Sequence, residues 1–418
     1  MKRTNILQLT ALVLLLSISA LGLFWATTHL EIGALTKGGT ASESAAAAVS
    51  ELPVSEPPPG PEPEPESAKL HFMAAGDNLI HDNIYKQAAA RTGGNGFDFN
   101  PPYQHVAELF EGADVAFINQ ESLIAERIAP LSGYPLFNSP EAVGNKVVDM
   151  GFNVVCSANN HMFDMGEAGL IASMDYWDAQ PVLPIGAWRT EADMQHPLTI
   201  ERQGVKIGFV PVTEHTNGLK LPAQTPLRFI RSDEYELMKQ QVELARANSD
   251  FVVVSIHWGT ENSNNTNDNQ LELAQRFADW GVDLVLGHHS HTLQPMEWRT
   301  GQSGKRTLVV YSLGNFISSM LDPQNMLGGV LDLDIEKDGK TGETAITRAK
   351  MIPVVTQYDT TGRQDVRIYP FTDYTDALVA RHGMKQMQGH FSISYLAGII
   401  KKNIPAEFLN SDVLEKLG

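Results

Sequence analysis

From residue 69 onward the chain alternates short, β-branched apolar runs with segments of helical period, and most of the runs end abruptly in clusters of polar side chains. Runs at 70–75, 114–118, 153–157, 206–211, 251–256, 283–286 and 307–312 read as strands. Segments at 102–110, 140–150, 167–179, 233–247 and 269–280 carry helical spacing. Strand and helix in alternation predict an α/β fold with parallel strands, not a bundle or a repeat array. After Asn315 the pattern changes: 329–335 and 349–355 read as antiparallel strands, and 373–383 and 392–404 as closing helices.

Composition narrows the chemistry. With 49 acidic against 31 basic residues and a formal charge of −18, the 418-residue chain lacks the basic footprint that nucleic acid demands, so no nucleic-acid partner is expected. Its single cysteine, Cys156, makes neither an internal disulfide nor a multi-thiolate metal site. It closes an apolar run and reads as a buried, inert thiol. Any metal must therefore be held by the carboxylates, Asn and the 13 histidines.

Residues 6–26 contain no ionisable side chain and follow Lys2 and Arg3. At 1.5 Å per residue such a stretch crosses a hydrocarbon core of about 30 Å, so residues 1–37 are predicted to be a single-pass membrane anchor and its flank, with the basic end cytoplasmic and a cleaved signal peptide as the alternative. Residues 38–68 are rich in Ala, Ser, Glu and Pro and predict an extended stalk. The body is then 69–318, with 319–418 as an extension packed on the same domain, all on the extracytoplasmic side.

Where the polar clusters fall is the informative observation. The first run leads into Gly76-Asp77, the second into Asn119-Gln120-Glu121 and the third into Asn159-Asn160-His161; the fifth and sixth lead into His257-Trp258-Gly259 and Gly287-His288-His289-Ser290-His291. In an open α/β sheet the carboxyl ends of the strands share one crevice. Five segments thus deliver Asp, Glu, Asn and His to one place, and metal binding is the economical explanation. Mixed oxygen and imidazole donors suit Mn, Fe or Zn, and a carboxylate between two sets of ligands is how a pair of ions is bridged. Hydrolysis is the chemistry such a pair supports. No Gly-rich phosphate loop and no GxSxG elbow competes with it.

The series GDNLIH, INQE, ANNHMFDMG, HWGTE, GHHSHTLQP and YSLGNF resembles the bacterial CapA family of capsule (poly-γ-glutamate) synthesis proteins, whose domain resembles the calcineurin-like metallophosphoesterases. The resemblance runs in order from about Leu70 to Phe316. It implies a four-layer α/β sandwich, two sheets flanked by helices, with two divalent metal ions at the strand ends. By motif, it implies Asp77, Glu121, Asn160, His257, His289 and His291 as metal ligands, with Glu121 in the place of the bridging aspartate. It also implies His161 as general acid and Asp164 as the group that orients its ring. His288 occupies a variable position and reads as a support to the ligands.

Two departures stand out. Leu79 occupies the position where the metallophosphoesterase pattern has a histidine, with His81 two residues further on, and glutamate replaces aspartate at 121. Ser312 reads as shaping a turn and Asn315 as lining the site. The polar loop 262–269 lies beside HWGTE, and Trp258 is open to reading as core or as pocket wall. Two functions remain: a surface metallohydrolase acting on a phosphoester or amide of an envelope polymer, or a capsule assembly or export factor that binds polymer at its metal site without turnover. Expected partners are the membrane and an envelope polymer or capsule synthesis complex.

Overall fold

The computed structural model describes residues 66–418; the anchor predicted at 6–26 and most of the stalk predicted at 38–68 lie outside the described residues. Among the described residues no helix is long and apolar enough to cross a membrane. The first sheet contains β1 (Ala68–Asn78), β2 (Val115–Asn119), β3 (Val154–Cys156) and β4 (Leu183–Ile185), and the second begins with β5 (Leu198–Arg202), β6 (Val205–Thr213), β7 (Phe251–His257) and β8 (Leu284–His288). There follow β9 (Met296–Thr300), β10 (Arg306–Val310), β11 (Asn315–Ile317), β12 (Leu327–Lys337), β13 (Thr344–Asp359) and β14 (Gln364–Pro370). The spatial orders are β14-β13-β12-β1-β2-β3-β4, with β11 also pairing β1, and β5-β6-β7-β8-β10-β9. Parallel strands form one side of the first sheet, β1-β2-β3-β4, and the middle of the second, β6-β7-β8-β10, so their carboxyl ends point one way within each block.

The continuous apolar runs of the second sheet exist because both of its faces are covered. Alternate residues separate cleanly: Ile207, Phe209, Phe251, Val253, Leu284, Leu286, Leu308 and Val310 join the core shared with the first sheet. Val210, Val212, Val252, Val254, Ile256, Val285 and Val309 pack against helices. Those helices, Tyr235–Asn248 and Asp268–Asp279, present Met238, Val242, Leu273, Ala274 and Phe277. On the first sheet, helices Glu141–Asp149 and Gly166–Asp178 contribute Val143, Val147, Tyr176 and Trp177 to the shared core. Between the sheets Phe117 stacks on Phe209 at 6.4 Å and 14°. The result is a mixed α/β architecture of two packed sheets with helices.

The C-terminal residues complete the first sheet. β12 lies antiparallel along most of β1, from Ala68 opposite Lys337 to Ala75 opposite Val330, and both it and β13 run longer than the predicted 329–335 and 349–355. The helix predicted at 102–110 is instead a turn of helix at Asn100–Tyr103 and a 3₁₀ turn at Ala107–Phe110. The one predicted at 373–383 is broken into Phe371–Asp373 and Asp376–Arg381. Helix Asp82–Arg91, with only Ile84, Tyr85 and Ala88 buried, has too little apolar face to show in the periodicity.

Candidate metal centre

Two glycines let the strand ends converge. A Cβ at Gly76 would lie 2.0 Å from Gly314 O, and one at Gly287 would lie 1.9 Å from Tyr311 O. Each glycine permits close backbone approach within two residues of a candidate ligand, Asp77 or His289. The ladder from β1 to β2 slips between Ala75 and Asp77, a bulge that sets Asp77 opposite Asn119 on one side and Asn315 on the other. After β8, His289 and His291 take left-handed backbone angles, φ 88° and 57°. Such angles cost a non-glycine residue of order 1–3 kcal/mol and concentrate at functional sites.

The side chains so placed are buried and face one another. Glu121 Oε1 lies 3.4 Å from His257 Nε2 and 3.7 Å from His291 Nε2. His257 Nε2 is 2.9 Å from Asn160 Oδ1 and 3.1 Å from His289 Nδ1. Asp77 Oδ2 is 3.3 Å from His291 Nδ1, and Asp77 Oδ1 accepts from Asn119 Nδ2 at 2.8 Å. Two triads emerge, Glu121 with His257 and His289, and Asp77 with Glu121 and His291, each with its donor atoms within 4.8 Å of one another. Glu121 belongs to both.

This donor set fits divalent cations. Among the described residues neither carboxylate oxygen of the fully buried Glu121 has a hydrogen-bond partner, an arrangement that costs free energy unless something positive occupies the space. Burial, partly opposed by His291 and reinforced by Asp77, lifts the Glu121 carboxyl well above its usual range. Burial pushes Asp77 the same way, but hydrogen bonds and charge from His288 and His291 outweigh it and hold that carboxyl well below. His257 and His289 are kept well below the ordinary imidazole range by burial and by neighbouring imidazoles, so they present neutral lone pairs. His291 is the exception: burial would lower it, but Glu121 and Asp77 raise it to about 10. Loading a cation there must therefore release a proton.

Beside the triads, His161 Nδ1 lies 2.7 Å from Asp164 Oδ2, which also accepts the Phe137 N–H at 2.6 Å. His161 N donates to Asn159 Oδ1 at 3.1 Å, and Phe137 packs edge-on against the ring at 4.8 Å. Two contacts hold the imidazole, one at Nδ1 and one against the ring, and a third holds its backbone.

All eight predicted site residues fall in this one region: five are members of the triads, Asn160 reaches His257, and His161 and Asp164 form the adjoining pair. His288 contacts Asp77 Oδ1 at 3.4 Å and stacks on Phe117, supporting Asp77. Leu79 is buried, and His81 belongs to neither triad; the His81 Nδ1 lies 3.3 Å from Leu79 O and from Ser319 N. Trp258 is core, fully buried, donating to Tyr311 O at 2.8 Å. Cys156 is buried against Ser255, and burial pushes its thiol up to about 11. In loop 262–269, Asn262 N donates to Ser290 O at 2.8 Å, and Asn267 forms a capping box with Gln270. Sequence reasoning missed His215, whose Nε2 stands 3.1 Å from His289 Nε2. The signal was present: His215 follows the end of β6 as the other candidates follow theirs.

Residues 71–320 match the family described as bacterial capsule synthesis protein PGA_cap. The chain belongs to this family. Among PGA_cap relatives, the PGA biosynthesis protein CapA of Bacillus subtilis (strain 168) is 30% identical over 200 residues, 48% of this chain and 51% of that one. The capsule biosynthesis protein CapA of Bacillus anthracis is 28% identical over 183 residues, 43% of each. This chain therefore spans about half the length of the curated relatives it matches. Among solved structures, the calcineurin-like phosphoesterase YfkN from Bacillus subtilis aligns with 79% of this chain and 99% of that one, at 14% identity and a TM-score of 0.41.

Proposed function

We propose that this PGA_cap protein is a metal-dependent hydrolase of a phosphoester or amide bond in a capsular or other envelope polymer. One observation carries the reading: a single buried carboxylate, Glu121, is shared by two triads of ligands beside an imidazole fixed for proton transfer. Asp77, Glu121, His257, His289 and His291 would hold the ions, with Asn160 beside them. Divalent cations there would polarise a phosphoryl or carbonyl oxygen and lower the pKa of water. The protein's own part is proton delivery. Asp164, 2.7 Å from His161 Nδ1, fixes the ring so that Nε2 is the atom that gives a proton to the departing oxygen or nitrogen. The names of the relatives, a PGA biosynthesis protein and a capsule biosynthesis protein, favour an anionic polymer chain as substrate.

His161→Ala tests it. Turnover of phosphodiester, phosphomonoester and γ-glutamyl amide probes should be metal-dependent in the wild type and fall about 10²–10⁴-fold in the variant, with metal content unchanged. Equal rates would remove His161 from the mechanism. No turnover of any probe by metal-loaded protein would leave the same site as a binding site in capsule assembly. The proposal includes a membrane location, with residues 6–26 as anchor and the body outside the cell.

A further inference from the structure

A pocket of about 410 Å³ opens beside the metal centre, lined in part by His81, Asp82, Tyr134, Ser319, Leu321 and Arg363. It is built from the same segments as the ligands. His81 follows Asp77 by four residues and packs on Phe137 at 5.2 Å, which packs in turn on His161. Ser319 follows β11, whose Asn315 Oδ1 lies 3.0 Å from His291 Nδ1, and Met320 Sδ, also in the lining, lies 3.6 Å from Asn315 Nδ2.

The pocket has one cation, and that cation is deliberately placed. Arg363 holds a left-handed backbone angle, φ 52°, in the turn between β13 and β14. Its carbonyl oxygen accepts from both Asn83 Nδ2 and Gln87 Nε2 at 2.9 Å, which clamps the turn to helix Asp82–Arg91. The guanidinium donates from Nη1 to Ser319 O at 2.9 Å, and among the described residues it has no carboxylate partner. The only acid in the lining, Asp82, is already taken by Lys86 Nζ at 2.6 Å. In a protein of formal charge −18, Arg363 thus faces a cavity whose one lining acid, Asp82, is already paired with Lys86. The remaining N–H groups of its planar fork match a carboxylate. Tyr134, 80% exposed, and Leu321, 53% exposed, add apolar surface of the kind that methylene groups cover.

We propose that this pocket is a substrate subsite for a short aliphatic side chain ending in a carboxylate, with Arg363 binding the carboxylate while the neighbouring bond lies over the metal ligands. The assignment rests on the hydrolase reading for its purpose but not for its test. Calorimetry on the full-length, metal-loaded chain would titrate γ-glutamyl-glutamate, its fully amidated counterpart and inorganic phosphate. The acidic dipeptide should bind, and the amide should bind about 10- to 100-fold more weakly, the worth of a charge-assisted contact. Arg363→Gln should weaken the dipeptide by a similar factor with metal content and melting temperature kept, and Arg363→Lys should restore most of the loss. Equal binding of dipeptide and amide, or of wild type and Arg363→Gln, overturns the subsite. Phosphate that displaces the dipeptide at equal concentration, and only when Arg363 is present, overturns the carboxylate assignment. If Arg363→Gln fails to fold, the comparison of dipeptide with amide on wild-type protein decides alone. Arg363-dependent binding without hydrolysis would end the hydrolase reading and keep the subsite, and hydrolysis indifferent to Arg363 would do the reverse.

Discussion

Replacing Glu121 by Gln should move the metal-free and metal-loaded proteins in opposite directions. Without a cation, the wild-type carboxyl is fully buried, lacks a hydrogen-bond donor for either oxygen, and is held well above its usual pKa. Folding at neutral pH must then either bury a charge or take up a proton, and this burden grows as pH rises above the unfolded value of about 4.3. Gln removes it with a neutral side chain of the same shape, whose amide oxygen can take the place of Glu121 Oε1, 3.4 Å from His257 Nε2. One buried polar group left unsatisfied is worth about 1–3 kcal/mol. At roughly 2 °C per kcal/mol for a domain of this size, chelated Glu121→Gln should melt about 2–6 °C above chelated wild type. Metal reverses the order. At 100 times Kd a cation adds about 2.7 kcal/mol to the wild type, and Gln, neutral and shared by both triads, should lose most of that gain. Differential scanning calorimetry with chelator, then with added Mn or Zn, reads all four states. A variant that is less stable than wild type in chelator, yet shows the full metal-induced shift, would refute the reasoning.

His215→Ala should weaken metal affinity about 10- to 100-fold by freeing the His289 ring, measured by competition against a chromogenic chelator; unchanged affinity would make the 3.1 Å contact incidental. The buried His382 accepts the Met384 N–H at Nδ1, lies 3.0 Å from Thr356 O through Nε2, and is held down to about 4, chiefly by burial. Its folded pKa is depressed, so its stabilisation is full above about 6.5 and is lost as pH falls through about 4; replacing it by Gln should flatten urea-measured stability over that window by up to about 3 kcal/mol. Protease added to intact cells should cut within 38–68 and release a soluble body, whereas a body protected from protease would reverse the proposed orientation.

The parallel strands were legible because burial on both faces leaves an unbroken apolar run: the predicted 251–256 and 283–286 differ from β7 and β8 by one or two residues at their ends. The clustering of the candidate ligands was legible for the same reason, since a polar residue directly after such a run has one crevice to enter. His215 was overlooked although it obeys that rule, because Thr213 and Glu214 soften the transition. The segment 102–110 misled because long-range contacts decide it: Tyr103 donates its hydroxyl to Asn78 Oδ1 at 2.7 Å, and Phe110 packs on Phe152 at 4.3 Å. The Arg363 pocket was not legible at all. Its residues are drawn from 81–82, 133–134, 319–321 and 363, and only the closed sheet brings them together.

The pairing of β12 with β1 governs the order in which the molecule can mature. Asp77 sits near the end of a strand whose other long edge is satisfied only when residues 327–337 arrive, so a nascent chain carrying every candidate ligand still exposes a row of unpaired backbone groups. Contacts so distant in sequence form late and slowly. A polypeptide that ended at residue 320, where the family match ends, would hold all of the site's chemistry beside an open seam, and the first strand to close that seam could belong to another molecule.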